Sequence, residues 1–358
     1  MTVEHQRVER QELAPGYSIA RILNGGWQLS AGHHPNAPET SETLRSLARL
    51  AEAGFTTFDC ADIYTGVEEL IGRFLREWPQ RDEIQVHTKL VPDRSTLPTL
   101  KRASVEAIVD RSLQRLGIER LDLVQFHWWD YDTAGCAETA GWLDDMRRAG
   151  KIRLIGATNF STVQLGEILD SGVSIAVHQV QYSLLDRRPA NDETRSMVDL
   201  CQQHGVGLLC YGSLAGGFLS ERYRRTESPT ELRNRSLVKY RLIIDEFGGW
   251  GLFQELLEAL ATVADRHGVT LSNVAVRWVL DQAQVAGAIV GARTASHLES
   301  NLRVFNLTLD DDDNAVLDAV LAKSTGPTGE VFGLERVPRG RHRVIMKTEL
   351  NRLPKPQE

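Results

Sequence analysis

The sequence has few cysteines, no long apolar run and no excess of positive charge. Its four cysteines (Cys60, Cys136, Cys201 and Cys210) show no CxxC spacing, so we expect free thiols in a reducing compartment rather than a disulfide framework. No apolar run is long enough for a membrane span, and the first residues are too polar for a secretory signal, which predicts a cytoplasmic protein without membrane association. The net charge of −7 argues against a nucleic-acid partner.

Three patterns that would indicate other classes of protein or site are also missing. No GxGxxG motif follows the first apolar run, so the alternative of a doubly wound dinucleotide-binding sheet loses its main support. The adjacent His33 and His34 have no further Cys, His or carboxylate at ligand spacing. The acidic run Asp310–Asp313 lacks the spacing of a calcium loop and is more typical of a helix cap. We therefore expect no metal site.

Short apolar runs alternate with segments of helical periodicity along most of the chain. Near-continuous hydrophobicity within each run is typical of parallel strands that are buried on both faces. The eight runs are residues 20–27, 55–61, 84–90, 121–129, 152–160, 175–183, 206–214 and 286–293. Eight strands, each followed by a helix, predict an α/β protein with a single (β/α)8 TIM barrel over residues 1–358.

Two segments depart from this even spacing. The gap between the seventh and eighth runs is the longest, and within it residues 215–250 predict a long loop on the carboxyl-terminal face, of the kind that covers a substrate. Helices are predicted after it, at 252–267 and 271–282. A further helix is predicted to begin in the acidic run, and residues 324–358 are predicted to form a C-terminal basic tail punctuated by glycine and proline.

An acid, a phenol, an amine and an imidazole follow three successive runs, as Asp59, Tyr64, Lys89 and His127. Catalytic side chains accumulate at the carboxyl ends of barrel strands, so these four are expected in one pocket. An ammonium beside Tyr64 would lower the pKa of the phenol, and Asp59 would hold that ammonium. Four such groups in one pocket are candidate catalytic residues.

The order and flanks of these residues resemble the aldo-keto reductase family. The stretch AGFTTFDCADIYTGVEELIGRFL is similar to the family's leading signature and GKIRLIGATNF to its mid-chain signature, while VQYSLLDR and VGARTASHLESNL resemble its later cofactor-binding segments. The resemblance covers residues 13–306 in order and is nearest to the long-loop bacterial and plant branch. It implies that the four residues form the catalytic tetrad of an NAD(P)H-dependent oxidoreductase that interconverts an aldehyde or ketone and an alcohol. Tyr64 would be the proton donor, His127 would donate a hydrogen bond to the substrate carbonyl, and the hydride would come from the cofactor, because no amino acid supplies one.

The same resemblance implies a nucleotide site. Its members are Gly26, Trp27, Thr158, Asn159, Gln179, Tyr211, Leu214, Gly216, Gly217, Gly291, Arg293, Thr294, His297 and Asn301. Within this set, Asn159 and Gln179 would hold the nicotinamide carboxamide and Tyr211 would stack on the ring. Arg293 would meet a 2′-phosphate, which favours NADP(H) over NAD(H). His297 and Ser300 depart from the family pattern at the adenosine end.

The substrate is expected to be a small carbonyl compound or alcohol bound among aromatic side chains. The residues predicted to line its pocket are Trp27, Tyr64, Trp128 and Trp250. The chain is expected to be a monomer or a weak homo-oligomer. Two alternatives stay open. One is a non-catalytic NADP(H)-binding regulatory subunit, like the channel β-subunits that this family also resembles. The other is a sugar or alcohol dehydrogenase that works in the oxidative direction.

Overall fold

The eight apolar runs form the strands of a closed parallel barrel, as the alternation of runs and helices predicts. The computed structural model describes residues 8–31, 40–190 and 196–351, and His33 and His34 lie outside these ranges. The strands are β1 (Arg10–Ala14), β2 (Tyr17–Ala20), β3 (Ile22–Gly25), β4 (Thr57–Asp59), β5 (Gln85–Leu90), β6 (Leu121–Phe126), β7 (Ile152–Thr158), β8 (Val177–Gln181), β9 (Gly207–Tyr211) and β10 (Val285–Gly291). Strands β3 to β10 lie side by side in chain order, and β10 pairs with β3 to close the barrel.

The strands β1 and β2 form an antiparallel hairpin that the sequence did not predict. Tyr17 and Ile19 of this hairpin are buried with Leu23 and Leu123 in a small cluster separate from the main core. The Tyr17 hydroxyl lies 3.1 Å from His87 Nε2 inside the barrel. The hairpin therefore closes the amino-terminal end of the barrel, which leaves the carboxyl-terminal end as the place for a site.

Helices surround the barrel. They are α1 (Thr40–Glu52), α2 (Val67–Glu77), α3 (Arg102–Leu116), α4 (Cys136–Arg148), α5 (Thr162–Asp170), α6 (Met197–His204), α7 (Arg235–Phe247), α8 (Gly249–His267), α9 (Leu271–Leu280), α10 (Leu298–Arg303) and α11 (Asp311–Leu321). The acidic run caps α11, since the side chains of Asp310 and Asp313 each accept a hydrogen bond from the other's backbone N–H. In the described part of the chain, no helix combines the length and the apolar character needed to cross a membrane.

The segment 215–250, predicted as a long loop, contains a helix as well as irregular chain. Its second part is the helix α7, which the Asn234 side chain caps by accepting from the Leu237 N–H at 3.0 Å. The helix packs on the turn after β9, where a Cβ at Gly212 would lie 2.7 Å from the Tyr240 hydroxyl and one at Gly216 would lie 2.8 Å from the Tyr240 ring. Most of the charges that suggested a loop precede α7, and those within the helix are half-buried.

Residues 324–351, here called the C-terminal segment, pack back onto the carboxyl-terminal end of the barrel. The Glu330 carboxylate accepts a hydrogen bond from the Thr162 backbone N–H at 2.9 Å, at the start of α5. Near the other end of the segment, the Asn351 side chain donates to the Val91 carbonyl at 2.7 Å. Phe332, Glu335 and His342 between these anchors are buried. The sequence predicted only a basic tail here, because docking of a loop depends on distant partners that local composition does not reveal.

Candidate active site

The structure brings Asp59, Tyr64, Lys89 and His127 together at the carboxyl-terminal end of the barrel. Asp59 ends β4, Lys89 lies in β5, His127 follows β6, and Tyr64 lies in the turn before α2. The Lys89 ammonium nitrogen Nζ is 2.7 Å from the Asp59 Oδ2 and 2.8 Å from the Cys60 carbonyl oxygen. It is also 5.1 Å from the centroid of the Tyr64 ring. Parallel pairing places these strand ends at one edge, so residues distant in the chain become neighbours.

Both oxygens of the buried Asp59 carboxylate accept hydrogen bonds. Its Oδ2 accepts from Lys89, and its Oδ1 accepts from the amides of Gln125 at 2.9 Å and Gln179 at 2.7 Å. Burial alone would lower the pKa of Lys89, but the Asp59 carboxylate and the Tyr64 phenol outweigh burial and raise it above its usual value. The ammonium therefore keeps its charge at neutral pH.

The pKa of Tyr64 shifts in the opposite direction to the one expected from sequence. Burial raises the pKa of the phenol, and although the Lys89 ammonium lowers it, that contribution is smaller than the effect of burial. The hydroxyl consequently carries its proton at neutral pH in the absence of other charges. A protonated phenol next to an ammonium is suited to give up its proton when a negative oxygen forms beside it.

The imidazole of His127 has a defined proton arrangement. Its Nδ1 lies 3.0 Å from the Thr158 carbonyl oxygen, which can only accept, so Nδ1 carries the hydrogen. Burial, and then the positive charge of Arg336, lower the pKa of His127 to about 3. A neutral ring with its proton on Nδ1 has an acceptor at Nε2, and Nε2 is buried without a hydrogen-bond partner. The expectation that His127 donates to a carbonyl is therefore not supported by this tautomer.

Aromatic rings line the space around the tetrad. The Trp27 ring lies edge-on to Tyr64 at 4.9 Å between centroids, and Trp129 lies edge-on to His127 at 4.3 Å. Phe332 of the C-terminal segment approaches His127 edge-on at 5.7 Å. Neither Trp129 nor Phe332 was among the residues predicted to contact substrate.

Two of the predicted substrate residues do not lie against the tetrad. Trp128 is 0% exposed, and its indole N–H donates to the Thr133 carbonyl at 3.1 Å, so the neighbouring Trp129 is the indole that faces His127. Strand alternation predicts that the two indoles point to opposite sides, but it does not fix which side each takes. The Trp250 ring contacts other aromatic rings, the nearest being Phe253 at 4.9 Å, and within the described residues none of its ring contacts is with the tetrad.

The residues expected to hold a nicotinamide lie beside the tetrad at the ends of β7, β8 and β9. The Tyr211 hydroxyl donates to the Asn159 Oδ1 at 2.8 Å. The Gln179 amide nitrogen is already used on Asp59 and on the Gln125 Oε1, at 2.7 and 2.8 Å, so only its oxygen remains for a ligand. The sequence assigned Gln179 to the cofactor alone, whereas the structure also places it under the tetrad.

Buried polar atoms without partners lie in the same place. They are the Thr158 Oγ1, the His127 Nε2 and the Ser213 Oγ, each at the carboxyl end of a barrel strand. Leaving such a group unsatisfied costs about 1–3 kcal/mol, so a pocket with several of them fits a polar ligand. These atoms fit a nicotinamide carboxamide and its ribose. Ser213 was missed by the sequence analysis, because a serine in a loop carries no signal by itself.

The other residues of the predicted nucleotide site lie on three loops. Gly26 donates its N–H to the Asp59 carbonyl at 2.8 Å, and a Cβ there would lie 3.0 Å from that oxygen, so a larger residue would not fit. Leu214 precedes the 3-10 turn Ala215–Gly217, in which Gly216 has φ of 65°. The remaining residues follow β10: Gly291, Arg293 and Thr294, then His297 and Asn301. His297 is exposed, and Ser300 accepts from the Asn273 amide at 2.8 Å through its carbonyl oxygen, so Ser300 has a structural contact.

A lysine from α7 covers the ring of Tyr211. The Lys239 Nζ lies 4.8 Å from the centroid of that ring and 3.2 Å from the Glu335 Oε1. Glu335 is only 2% exposed, and burial would raise the pKa of its carboxyl, but Lys239 and Arg188 outweigh burial and lower it. A nicotinamide that stacks on this face of Tyr211 requires Lys239 to swing aside. The sequence held no sign of this ion pair, because its members come from two segments read as loop and tail.

The chain is similar to known proteins over most of its length. The family model described as "Aldo/keto reductase family" matches residues 21–322. Aldo-keto reductase YhdN of Bacillus subtilis is 29% identical over 334 residues, covering 87% of this chain and 94% of its own length. The NADH-specific methylglyoxal reductase of Escherichia coli is 26% identical over 322 residues, with 84% and 94% covered. The chloroplastic pyridoxal reductase of Arabidopsis thaliana is 30% identical over 329 residues, with 86% and 84% covered.

A solved structure agrees with these sequences. The glycerol dehydrogenase AKR11B4 of Gluconobacter oxydans superposes with a TM-score of 0.73 at 26% identity, covering 91% of this chain and 98% of its own. Because nearly all of both chains is matched, the similarity extends over the barrel, its helices and its loops rather than a single motif.

Proposed function

The chain belongs to the aldo/keto reductase family, whose members are NAD(P)H-dependent oxidoreductases of small carbonyl compounds, and from this premise we propose that Tyr64 is the proton donor in its reduction of a small aldehyde or ketone. The observation that carries the proposal is the protonated Tyr64 phenol beside the Lys89 ammonium, which Asp59 holds at 2.7 Å. A general acid placed in this way contributes about 10²–10⁴-fold to a rate.

When bound, the nicotinamide cofactor supplies the hydride that adds to the carbonyl carbon. The carbonyl oxygen takes the proton from the Tyr64 hydroxyl, which leaves a phenolate beside the Lys89 ammonium. Because Lys89 stays protonated, it offsets the negative charge as that charge forms. Asp59 holds the Lys89 ammonium in place, and a proton from solvent restores Tyr64. Trp27, Trp129 and Phe332 restrict water around the reacting atoms.

An activity assay tests the proposal directly. Purified protein is mixed with NADPH, or with NADH, and a panel of small aldehydes that includes methylglyoxal and pyridoxal, the compounds named for two relatives. We expect oxidation of the cofactor with at least one aldehyde and with one alcohol formed for each cofactor consumed. Cofactor binding without turnover on any member of the panel would instead favour the non-catalytic regulatory subunit.

For the cofactor, Arg293 supports NADPH over NADH, because a guanidinium can pair with a 2′-phosphate through two hydrogen bonds. The N–H groups of an imidazole lie on opposite sides of the ring, so the exposed His297 cannot form the two parallel hydrogen bonds of a guanidinium. Titrations of both nucleotides into the parent and Arg293→Ala, followed by protein fluorescence, measure four dissociation constants. We expect the preference for NADPH to narrow about tenfold in the variant. Equal affinities in the parent would contradict the preference, and one relative is named as NADH-specific, so both nucleotides are compared on the same preparation.

One observation favours a second function, oxidation of an alcohol. The free Nε2 of His127 is a hydrogen-bond acceptor, and an alcohol has a hydroxyl to donate whereas a carbonyl has none. Rates with NADP⁺ and NAD⁺ and a panel of small polyols, including glycerol, measured beside the aldehyde rates on one preparation, decide between the directions. A larger kcat/KM for alcohols at neutral pH would make dehydrogenation the favoured reaction.

A further inference from the structure

Arg336, in the 3-10 turn Leu334–Arg336 of the C-terminal segment, binds three backbone carbonyls at the mouth of the barrel. Its guanidinium donates to the Trp128 oxygen at 2.8 Å, to the Asn159 oxygen at 3.1 Å and to the Trp129 oxygen. The two tryptophans follow β6, and Asn159 follows β7. One side chain from the C-terminal segment therefore joins the ends of two neighbouring barrel strands.

These carbonyls flank two residues of the site. His127 directly precedes Trp128, and its Nδ1 bonds the carbonyl of Thr158, which directly precedes Asn159. The guanidinium and the imidazole thus bridge the same pair of strand ends. A relative movement of those ends would lengthen the bond between His127 and Thr158 and would carry the Asn159 side chain away from Tyr211, which donates to it at 2.8 Å.

Arg336 is itself held by aromatic faces rather than by an acid. Its guanidinium carbon lies 3.8 Å from the centroid of Tyr131 and 5.5 Å from that of Phe332. Among residues 8–31, 40–190 and 196–351, no carboxylate forms an ion pair with it. A planar fork of donors can serve several carbonyls at once, whereas a lysine ammonium is a single point charge on a flexible stem. The site therefore needs the shape of arginine as well as its charge.

The charge of Arg336 also acts on His127. After burial, it is the second cause that lowers the pKa of the imidazole to about 3, and the Thr158 carbonyl acts weakly in the opposite direction. The other groups that face the imidazole are the uncharged rings of Trp129 and Phe332. Arg336 thus disfavours a second proton on His127, which keeps Nε2 available as an acceptor.

We propose that Arg336 is a positioning residue for the reaction of Tyr64 and His127, acting from the C-terminal segment by fixing the ends of β6 and β7. It does not contact the reacting atoms. It sets where the His127 ring and the Asn159 side chain stand. This inference rests on the proposed function for its kinetic effects, but its effect on His127 is measurable without any substrate.

Two variants and a control separate the effect of the shape of the Arg336 side chain from the effect of its charge. Arg336→Met removes both, Arg336→Lys keeps the charge without the planar fork, and Arg341→Met removes a guanidinium whose side chain is 67% exposed and pairs with Asp245 at the surface. We expect kcat to fall by about 10–100-fold in Arg336→Met, since small misplacements of reacting groups have costs of this size. Arg336→Lys should lose nearly as much kcat but keep the parent's pH profile, and the control should match the parent.

The substrate-free measurement is the titration of the His127 imidazole by NMR, with its resonances identified from a His127→Asn sample. We expect the titration midpoint to rise in Arg336→Met and to stay low in Arg336→Lys and in the control. An unchanged midpoint together with an unchanged kcat in Arg336→Met would overturn the proposal. If no carbonyl or alcohol is turned over even by the parent, the proposed function fails while the NMR result still decides the role of Arg336. Circular dichroism checks the folding of each variant. If Arg336→Met does not fold, the kcat of Arg336→Lys decides, because a kcat equal to that of the parent would contradict the need for a planar guanidinium.

Discussion

Two regions of the site are built differently: the floor, formed by strand ends with Asp59, Lys89 and His127, and the cover, formed by α7 and the C-terminal segment with Lys239, Glu335 and Arg336. The floor residues sit on barrel strands, where parallel pairing fixes their spacing. The cover residues meet through side-chain contacts between segments that lie outside the sheet. Chemistry is therefore assigned to the strand ends, while the cover limits access through Lys239 and positions His127 through Arg336.

The largest effect is expected when the proton donor, Tyr64, is removed. Tyr64→Phe should lower kcat for carbonyl reduction by about 10²–10⁴-fold, because the ring stays and only the proton donor is lost. The dissociation constant of the cofactor should stay within about twofold of the parent value, since the phenol is not needed for nucleotide binding. Tyr223→Phe, in the 3-10 turn Glu221–Tyr223, is the matched control. Turnover within a few-fold of the parent in Tyr64→Phe would show that the acid lies elsewhere.

The second prediction concerns the buried ion pair of Lys89 and Asp59 beside Tyr64. Lys89→Met leaves the Asp59 carboxylate buried beside two amides without its cation, and breaking a buried pair in this way costs about 3–5 kcal/mol. We expect a lower melting temperature, a loss of most turnover and a more alkaline limb in any residual pH–rate profile, because the phenol loses the charge that lowers its pKa.

Lys323→Met is the control for Lys89→Met, because Lys323 is exposed and pairs with Glu255 on the surface. Such an exposed pair contributes at most about 1 kcal/mol. Calorimetry on the parent and both variants compares them. If Lys89→Met were as stable and as active as Lys323→Met, the buried pair would have neither role.

The third prediction distinguishes the two indoles after β6. Trp129→Leu removes the ring that faces His127 and should raise KM for a preferred substrate by about tenfold with a smaller change in melting temperature. Trp128→Leu should do the reverse, since that ring is fully buried against Phe126 and its loss costs about 3–5 kcal/mol. Kinetics and thermal melts on both variants make the comparison. A larger KM effect at Trp128 would restore the assignment made from sequence.

The smallest effect is expected from a change in the cover, at the ion pair of Lys239 and Glu335. Glu335→Gln removes the carboxylate that holds Lys239 over the Tyr211 ring, so Lys239 is freer to leave that face. We expect the cofactor to bind about threefold to tenfold more tightly, because less of its binding energy is spent on moving the lysine. Glu349→Gln, an exposed carboxylate of the same segment that accepts from Ser95, is the control. Weaker binding in Glu335→Gln would mean that the ion pair supports the nucleotide site instead of obstructing it.

Much of the floor was predictable because barrel strands carry their own signal. Continuous apolar runs mark strands, and polar residues placed directly after such runs, as His127 and Asn159 are, mark the ends that face the site. The cover was not predictable in the same way. Arg336 looks in the sequence like any other basic residue of a tail, and only its docking reveals that it binds Trp128 and Asn159.

The sequence by itself determined the barrel, the order of its strands and the four residue types at their ends, because periodicity and chain order encode these directly. Only the tertiary structure decided three further matters. It set the raised pKa of Tyr64, the tautomer of His127 and the choice of Trp129 over Trp128 as the pocket wall. Each depends on burial or on one hydrogen bond between segments far apart in the chain, and neither quantity exists until those segments pack together.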